Sequence, residues 1–225
     1  MLLNMTIRSI LGILAFALCL FIPAGTLDWP QAWAFLIIFI LASVAIGLWL
    51  MKTDPALLAA RMASPFSADQ RLSDRLIIAA IMVLFFPWHA FMALDAKRFG
   101  WSHLPVWLEV IGAVLVALSF WGNVGVLRAN SFAAVNVRVQ SERGQTVADT
   151  GPYAVVRHPM YAWILPLLLG TPLLLGSAWG LLWLVLFVPL LVGRILGEEA
   201  VLRDGLPGYR DYAARVRYRL IPGVW

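Results

Sequence analysis

The chain has 225 residues, of which 62% are hydrophobic and 13% charged, with a formal net charge of +5. That charged share is about half the value for a soluble domain. With a mean hydropathy of +0.85, no soluble core of this length can absorb the apolar side chains, so lipid is the solvent for most of them. The single cysteine, Cys19, excludes an intrachain disulfide and a cysteine-based metal cluster. In a membrane chain the positive balance is a topology signal and not a sign of nucleic acid.

A helix crossing about 30 Å of hydrocarbon needs about 20 apolar residues. Six runs meet or approach this length: 7–27, 31–51, 76–94, 106–127, 160–176 and 178–197. The first is longer than a signal-peptide core and lacks a small-residue cleavage site, so it reads as a retained span. Between the first two, Asp28 is placed to cap a helix whose first turn holds Pro30. After the second, Thr53-Asp54-Pro55 opens a short amphipathic stretch, 56–62, expected to lie on the membrane surface. The fifth run is short and carries Pro166 and Pro172, so five or six spans are expected. A tight turn at Gly176-Ser177 joins it to the sixth. Beyond Glu199, Tyr209, Tyr212, Val216 and Tyr218 alternate with Arg210, Asp211, Arg215, Arg217 and Arg219. This is an amphipathic basic element, expected as a helix against anionic lipid. Many of the tryptophans fall near run ends, as an interfacial belt requires.

Charge placement sets the orientation. With both termini in the cytoplasm, every lysine and arginine from Arg8 to Arg219 falls inside except Lys97 and Arg98, the bias that positive-inside topology predicts. The expected architecture is an all-α polytopic helix bundle of five or six transmembrane helices, with a cytoplasmic cofactor site and an amphipathic C-terminal helix. Residues 1–128 supply the N-terminal spans. Residues 129–225 supply a cofactor-binding and catalytic region, within one integrated membrane domain.

Two polar knots stand out at the ends of the last helical hairpin. The first is Gly151-Pro152-Tyr153-Ala154-Val155-Val156-Arg157-His158-Pro159-Met160-Tyr161. Pro159 drives His158 out of helical geometry and suits the first turn of the next helix. The free N–H groups of that turn favour an anion. Arg157 and His158 add donors, and Tyr153 and Tyr161 offer flat faces for a purine or ribose. The competing reading has Arg157 reaching to headgroups, His158 capping the helix and the tyrosines in the aromatic belt. The second knot is Arg194 with Glu198-Glu199. Arg194 and Glu198 share a helical face. Two carboxylates at a helix C-terminus oppose its dipole, a conflict that a bound cation relieves. One acid then meets the ligand while the other meets an arginine such as Arg203. His89 and Glu109 near span ends and His103 on the outer loop read as interfacial residues. Asn123 with Gly122 and Gly125 reads as a close helix contact. No metal-ligand spacing, Walker loop or dinucleotide fingerprint is present.

In order and spacing, these residues resemble the isoprenylcysteine carboxyl methyltransferase and phospholipid methyltransferase superfamily, integral membrane enzymes that use S-adenosylmethionine. The resemblance spans roughly residues 138–222. It implies cofactor contacts from His158, Pro159, Met160 and Tyr161, from Tyr153, from Gln145, Thr146, Val147 and Ala148 just upstream, and from Gln140 if a short gap is allowed. It implies a cofactor role for Glu198 and a substrate role for Arg194, the two catalytic candidates. Trp163 stands where the family often has glycine, which is expected to reshape entry from the lipid side.

The expected activity is therefore an S-adenosylmethionine-dependent methyltransferase (class EC 2.1.1). It would yield S-adenosylhomocysteine and act on an amphiphilic or small hydrophobic acceptor in the bilayer, with no metal and no nucleic acid. Two alternatives stand beside it. One is a sterol-type NADPH-dependent reductase, which shares an Arg-His-Pro-x-Tyr stretch but usually has Asn where this chain has Met160. The other is a non-catalytic membrane protein or transporter, against which the spans offer no ionisable residue near mid-membrane.

Overall fold

A computed structural model describes residues 2–66 and 70–225, without the side chains of residues 2–5, 8 and 9, so Arg8 lies outside the described side chains. Eight α-helices follow in order: α1 (Leu2–Ala24), α2 (Pro30–Thr53), α3 (Pro55–Arg61), α4 (Leu72–Ala93, continued by a π turn Leu94–Arg98), α5 (Val106–Ala129), α6 (Pro159–Leu175), α7 (Leu184–Gly205, preceded by a 3-10 turn Trp179–Trp183) and α8 (Tyr209–Arg215). No strand occurs among the described residues. Four segments are long and apolar enough to cross a membrane: Pro30–Thr53, Leu72–Arg98, Val106–Ala129 and Trp179–Gly205. Two shorter apolar helices, Ile10–Ala24 and Pro159–Leu175, pack with them.

The six long helices share one apolar core, with Leu20, Ala32, Phe35, Trp88, Met92, Val116, Leu175 and Phe187 among its buried members. Leucines and valines on the opposite faces, such as Leu41, Val83, Val110 and Val185, are exposed, as a lipid-facing surface requires. The tightest pairing is α5 with α6. A Cβ added at Gly112 would lie 2.3 Å from the backbone nitrogen of Leu174, and one added at Gly170 would lie 2.7 Å from the carbonyl of Gly112. Only glycine allows the two backbones to meet in this way. Further along the same contact, the Trp163 indole rests on Gly122, and Ser119 Oγ donates to the Trp163 carbonyl at 2.6 Å. Gly125 meets nothing within 4 Å, so of the two glycines flanking Asn123 only Gly122 makes a close contact.

Several local expectations change. Asp28 does not cap α2. Trp29 holds that position, because Pro30 at the first helical residue sets the boundary, and the Asp28 carboxylate lies 3.9 Å from Lys97 Nζ instead. Asp54 does cap α3, accepting from Leu57 N at 2.9 Å. That helix does not rest on the bilayer by its apolar face. Leu57 and Leu58 are buried against Leu50, Leu127 and Ala133, because the ends of α2 and α5 leave apolar surface there. His89 is no interfacial residue: it is 1% exposed, ringed by Phe16, Phe35, Phe85 and Trp88. Its Nδ1 lies 2.8 Å from the Phe85 carbonyl, so the helix backbone satisfies one polar atom that sequence position alone left unplaced. An ionisable residue is therefore present inside the bundle. The C-terminal helix is only seven residues long, and it turns Tyr209, Tyr212 and Ala213 inward. Val216 is extended, and the chain after it returns to the first polar knot.

Candidate active site

Both knots arrive at one end of the bundle. The first runs from a 3-10 turn at Gly151–Ala154 into a non-helical stretch at Arg157-His158. His158 has φ −125° and ψ 61° and makes no side-chain cap to α6. Its backbone N–H donates to the Arg219 carbonyl, and that of Arg157 to the Tyr218 carbonyl, both at 2.9 Å. The C-terminal tail thus clamps the stretch that Pro159 prevents from becoming helical.

The second knot, on the last turns of α7, separates its two acids. Glu199 is 3% exposed and meets a cluster of cations. Arg157 Nε lies 2.9 Å from Oε1, close but not aligned as a hydrogen bond. Arg219 approaches both oxygens at 3.1 and 3.2 Å, and Arg203 lies at 3.4 Å. His158 Nε2 completes the set at 3.3 Å. This ring of charge answers the conflict between a carboxylate and the helix C-terminus. Arg157 also donates to the Ala213 carbonyl at 3.2 Å, so its guanidinium serves the tail and not a headgroup.

Glu198 points the other way and keeps about a quarter of its side chain accessible. Its Oε2 accepts from the Tyr161 hydroxyl at 2.7 Å, and His158 Nδ1 lies 4.0 Å from Oε1. The Tyr161 oxygen in turn accepts from Arg194 Nε at 2.8 Å. Arg194 also donates to the Val135 carbonyl and lies 3.5 Å from Asp74. Two of the five N–H donors of its guanidinium are taken up by the Tyr161 and Val135 hydrogen bonds.

A partly open cleft lies over these groups. Its walls include Asn130, Phe132–Ala134 and Asn136–Arg138 of the linker after α5, then Gln145, Thr146, Val147 and Ala148. Tyr153, Arg157, His158, Met160 and Tyr161 follow, with Arg194, Glu198, Leu202 and Leu206, and Tyr209 and Tyr212 of the C-terminal helix. Two sequence candidates stand outside it. Pro159 is buried as the helix start. Gln140 is 2% exposed and ties the linker together, taking a 2.6 Å bond from Arg143 and giving one of 2.8 Å to the Phe132 carbonyl. Its backbone N–H meets Gln145 Oε1 at 2.7 Å, so Gln140 shapes the wall from behind. Trp163 does not line the cleft; its indole faces α5.

Sequence reading missed Asp74, Asn130, Tyr209 and Tyr212 as part of this end of the molecule. Tyr153 is fixed from two sides: Asn130 Nδ2 lies 3.0 Å from its hydroxyl, and Tyr212 donates to its carbonyl at 2.8 Å. Burial, with the nearby negative charge of Glu198 and against the Asn130 bond and Arg61, pushes the Tyr153 phenol up to about 12. Burial likewise raises Tyr209, helped by Glu199 and Glu198. The Tyr209 hydroxyl is buried on the cleft wall and has no hydrogen-bond partner, an arrangement that normally marks a missing ligand or water. Among the described residues no group of three or more metal-ligating side chains forms.

The arrangement offers one accessible carboxylate, one unpartnered phenol, the N-terminal turn of an apolar helix and several aromatic faces. Residues 107–205 match the family model for phospholipid methyltransferase. A search of curated proteins finds no match.

Proposed function

We propose, from the match of residues 107–205 to the phospholipid methyltransferase family model, that this chain is a membrane methyltransferase that takes its methyl group from S-adenosylmethionine bound in the cleft between α6, α7 and α8. The acceptor is an amphiphilic or small hydrophobic molecule of the bilayer, and the cleft faces the cytoplasm, the side to which the cations are biased. The observation that carries this reading is the convergence of the two knots: Tyr161 bonds Glu198 at 2.7 Å across 37 residues of sequence.

The residues present fit that cofactor. Its ammonium or ribose hydroxyls suit Glu198, the only carboxylate on the wall among the described residues. Its carboxylate suits the free N–H groups at the start of α6. The unpartnered Tyr209 hydroxyl offers a further hydrogen bond, and the 145–148 segment with Tyr153 supplies an edge and a face for an adenine ring. His158 touches Glu199 and approaches Glu198, so its work is to fix both acids. When bound, S-adenosylmethionine supplies a methyl group already activated on a sulfonium. What remains for the protein is alignment and exclusion of water. Met160, Tyr161 and Leu202 line the cleft and keep the reacting region apolar. The remaining donors of Arg194 orient the acceptor, and Glu198 takes a proton where the acceptor is an amine or thiol.

The test is calorimetry of S-adenosylhomocysteine with the purified chain in detergent. Wild-type protein is expected to bind it, and His158→Ala and Glu198→Ala to lose that binding. No binding to wild type, or protection by NADP in its place, would overturn the proposal in favour of a reductase.

A further inference from the structure

Asp74 lies outside the matched family segment, in the first turn of α4, yet it meets Arg194 on the wall of the methyl-transfer cleft. It is 6% exposed. Gln70 Nε2 donates to its Oδ2, and its Oδ1 faces Arg194 NH1 at 3.5 Å without a hydrogen bond. A buried carboxylate needs a cation beside it, and Arg194 supplies that charge. Arg194 then spans three groups from three parts of the chain: Asp74 at the start of α4, the Val135 carbonyl of the linker and the Tyr161 hydroxyl of α6. Tyr161 carries the line on to Glu198.

We infer that Asp74 is a positioning residue for the cleft. By neutralising and orienting Arg194, it sets the direction of the Tyr161 hydroxyl, and through it the rotamer of Glu198. The inference rests on the cleft being the cofactor site. It assigns to the N-terminal half of the bundle a part in building a site whose recognisable motifs all lie in the C-terminal half. Without Asp74, Arg194 would turn toward the carboxylate that shares its Tyr161 contact, which is Glu198 itself. That would withdraw Glu198 from any ligand.

The experiment is a double-mutant cycle read by S-adenosylhomocysteine affinity on the full chain, with Asp74→Asn, Arg194→Gln and the pair. Asp74→Asn alone is expected to weaken binding about tenfold or more, as removal of one partner of a buried pair does. In the Arg194→Gln background the same change is expected to add less than about twofold, because coupled residues do not act additively. Asp74→Glu, which keeps the charge, is expected to restore most of the affinity, an outcome that a purely structural role at the helix start would not give. If Asp74→Asn fails to fold, Gln70→Leu serves in its place, with an expected loss of about two- to fivefold. Full affinity in Asp74→Asn, or losses that simply multiply in the pair, would overturn the inference. No binding by wild type would instead remove the cleft assignment on which it rests.

Discussion

The two ends of the bundle each bury acidic side chains, and they treat them in opposite ways. At the end away from the cleft Asp95 is fully buried and is closed by hydroxyls: Ser102 and Ser177 both donate to its Oδ2, at 2.7 and 2.5 Å. Ser102 also accepts from Ala178 N at 2.9 Å, so the cluster locks α4, the loop after it and the turn before α7 together. At the cleft end, about 30 Å away along α4 at about 1.5 Å per residue, Asp74 and Glu199 are matched by arginines. That pairing of charge with charge leaves Glu198 and the Tyr209 hydroxyl turned to a cleft. The difference teaches how a helix bundle sets apart a reactive end. Neutral hydroxyls finish a contact, whereas a surplus of fixed charges holds one acid rigidly and frees its neighbour for a ligand.

Substitutions separate these roles, and the largest effect is expected at Glu199. Glu199→Ala strands Arg157 and Arg219 around an empty position, at a cost of about 3–5 kcal/mol. Folded yield and thermal midpoint are expected to fall sharply; an unchanged midpoint would mean that the ion cluster does not hold this end. Next comes Glu198→Ala, expected to weaken S-adenosylhomocysteine binding about a hundredfold, the worth of one or two charge-assisted hydrogen bonds, with little change in midpoint. Its counterpart at the end away from the cleft, Asp95→Ala, is expected to reverse that pattern. Stability drops by about 1–3 kcal/mol as two buried hydroxyls lose their acceptor, while affinity stays within about twofold. A comparable affinity loss at Asp95 would break the division between the ends. Smaller still is Tyr209→Phe, expected to lower affinity about three- to tenfold without lowering the midpoint, since the hydroxyl has no partner in the protein.

A pH effect completes the series. Tyr153 keeps its proton to about pH 12 in the folded chain, against about 10 when unfolded. Its contribution to stability is full below about pH 10 and is lost as pH rises toward 12. Phenolate absorbance and helix content should therefore change together in that window, and Tyr153→Phe should delay the change. Titration of all five tyrosines at about pH 10 with the helices intact would contradict this.

Much of this was legible in the sequence, and the omissions have a common cause. Six apolar runs became the six long helices, because lipid selects by length and hydropathy, which are local properties. Pro159 fixed the start of α6, and the spacing of Arg194 and Glu198 fixed a shared face, since both follow from backbone geometry. Asp74, Arg219 and Tyr209 gave no such signal. Asp74 and Arg219 act through partners more than ten residues away in sequence, Tyr209 meets the cleft with a hydroxyl that has no protein partner, and nothing in the surrounding periodicity marks them. His89 misled for the related reason that its cage of Phe16, Phe35 and Phe85 comes from three different helices. The basic tail read as a lipid-binding helix because its alternation is real. The structure spends the inward residues on the cleft wall instead, and uses the backbone of Tyr218 and Arg219 to clamp the first knot.

The central claim is that the methyl donor sits where the segment entering α6 meets the end of α7. Photoaffinity labelling with an azido-adenosyl analogue of S-adenosylmethionine, followed by peptide mapping, tests this directly. The account predicts label in residues 130–161 and 194–212, suppressed by excess S-adenosylhomocysteine and absent in Glu198→Ala. Competable label confined to the loops at the opposite end of the bundle, or to the lipid-facing helices away from the cleft, would contradict it.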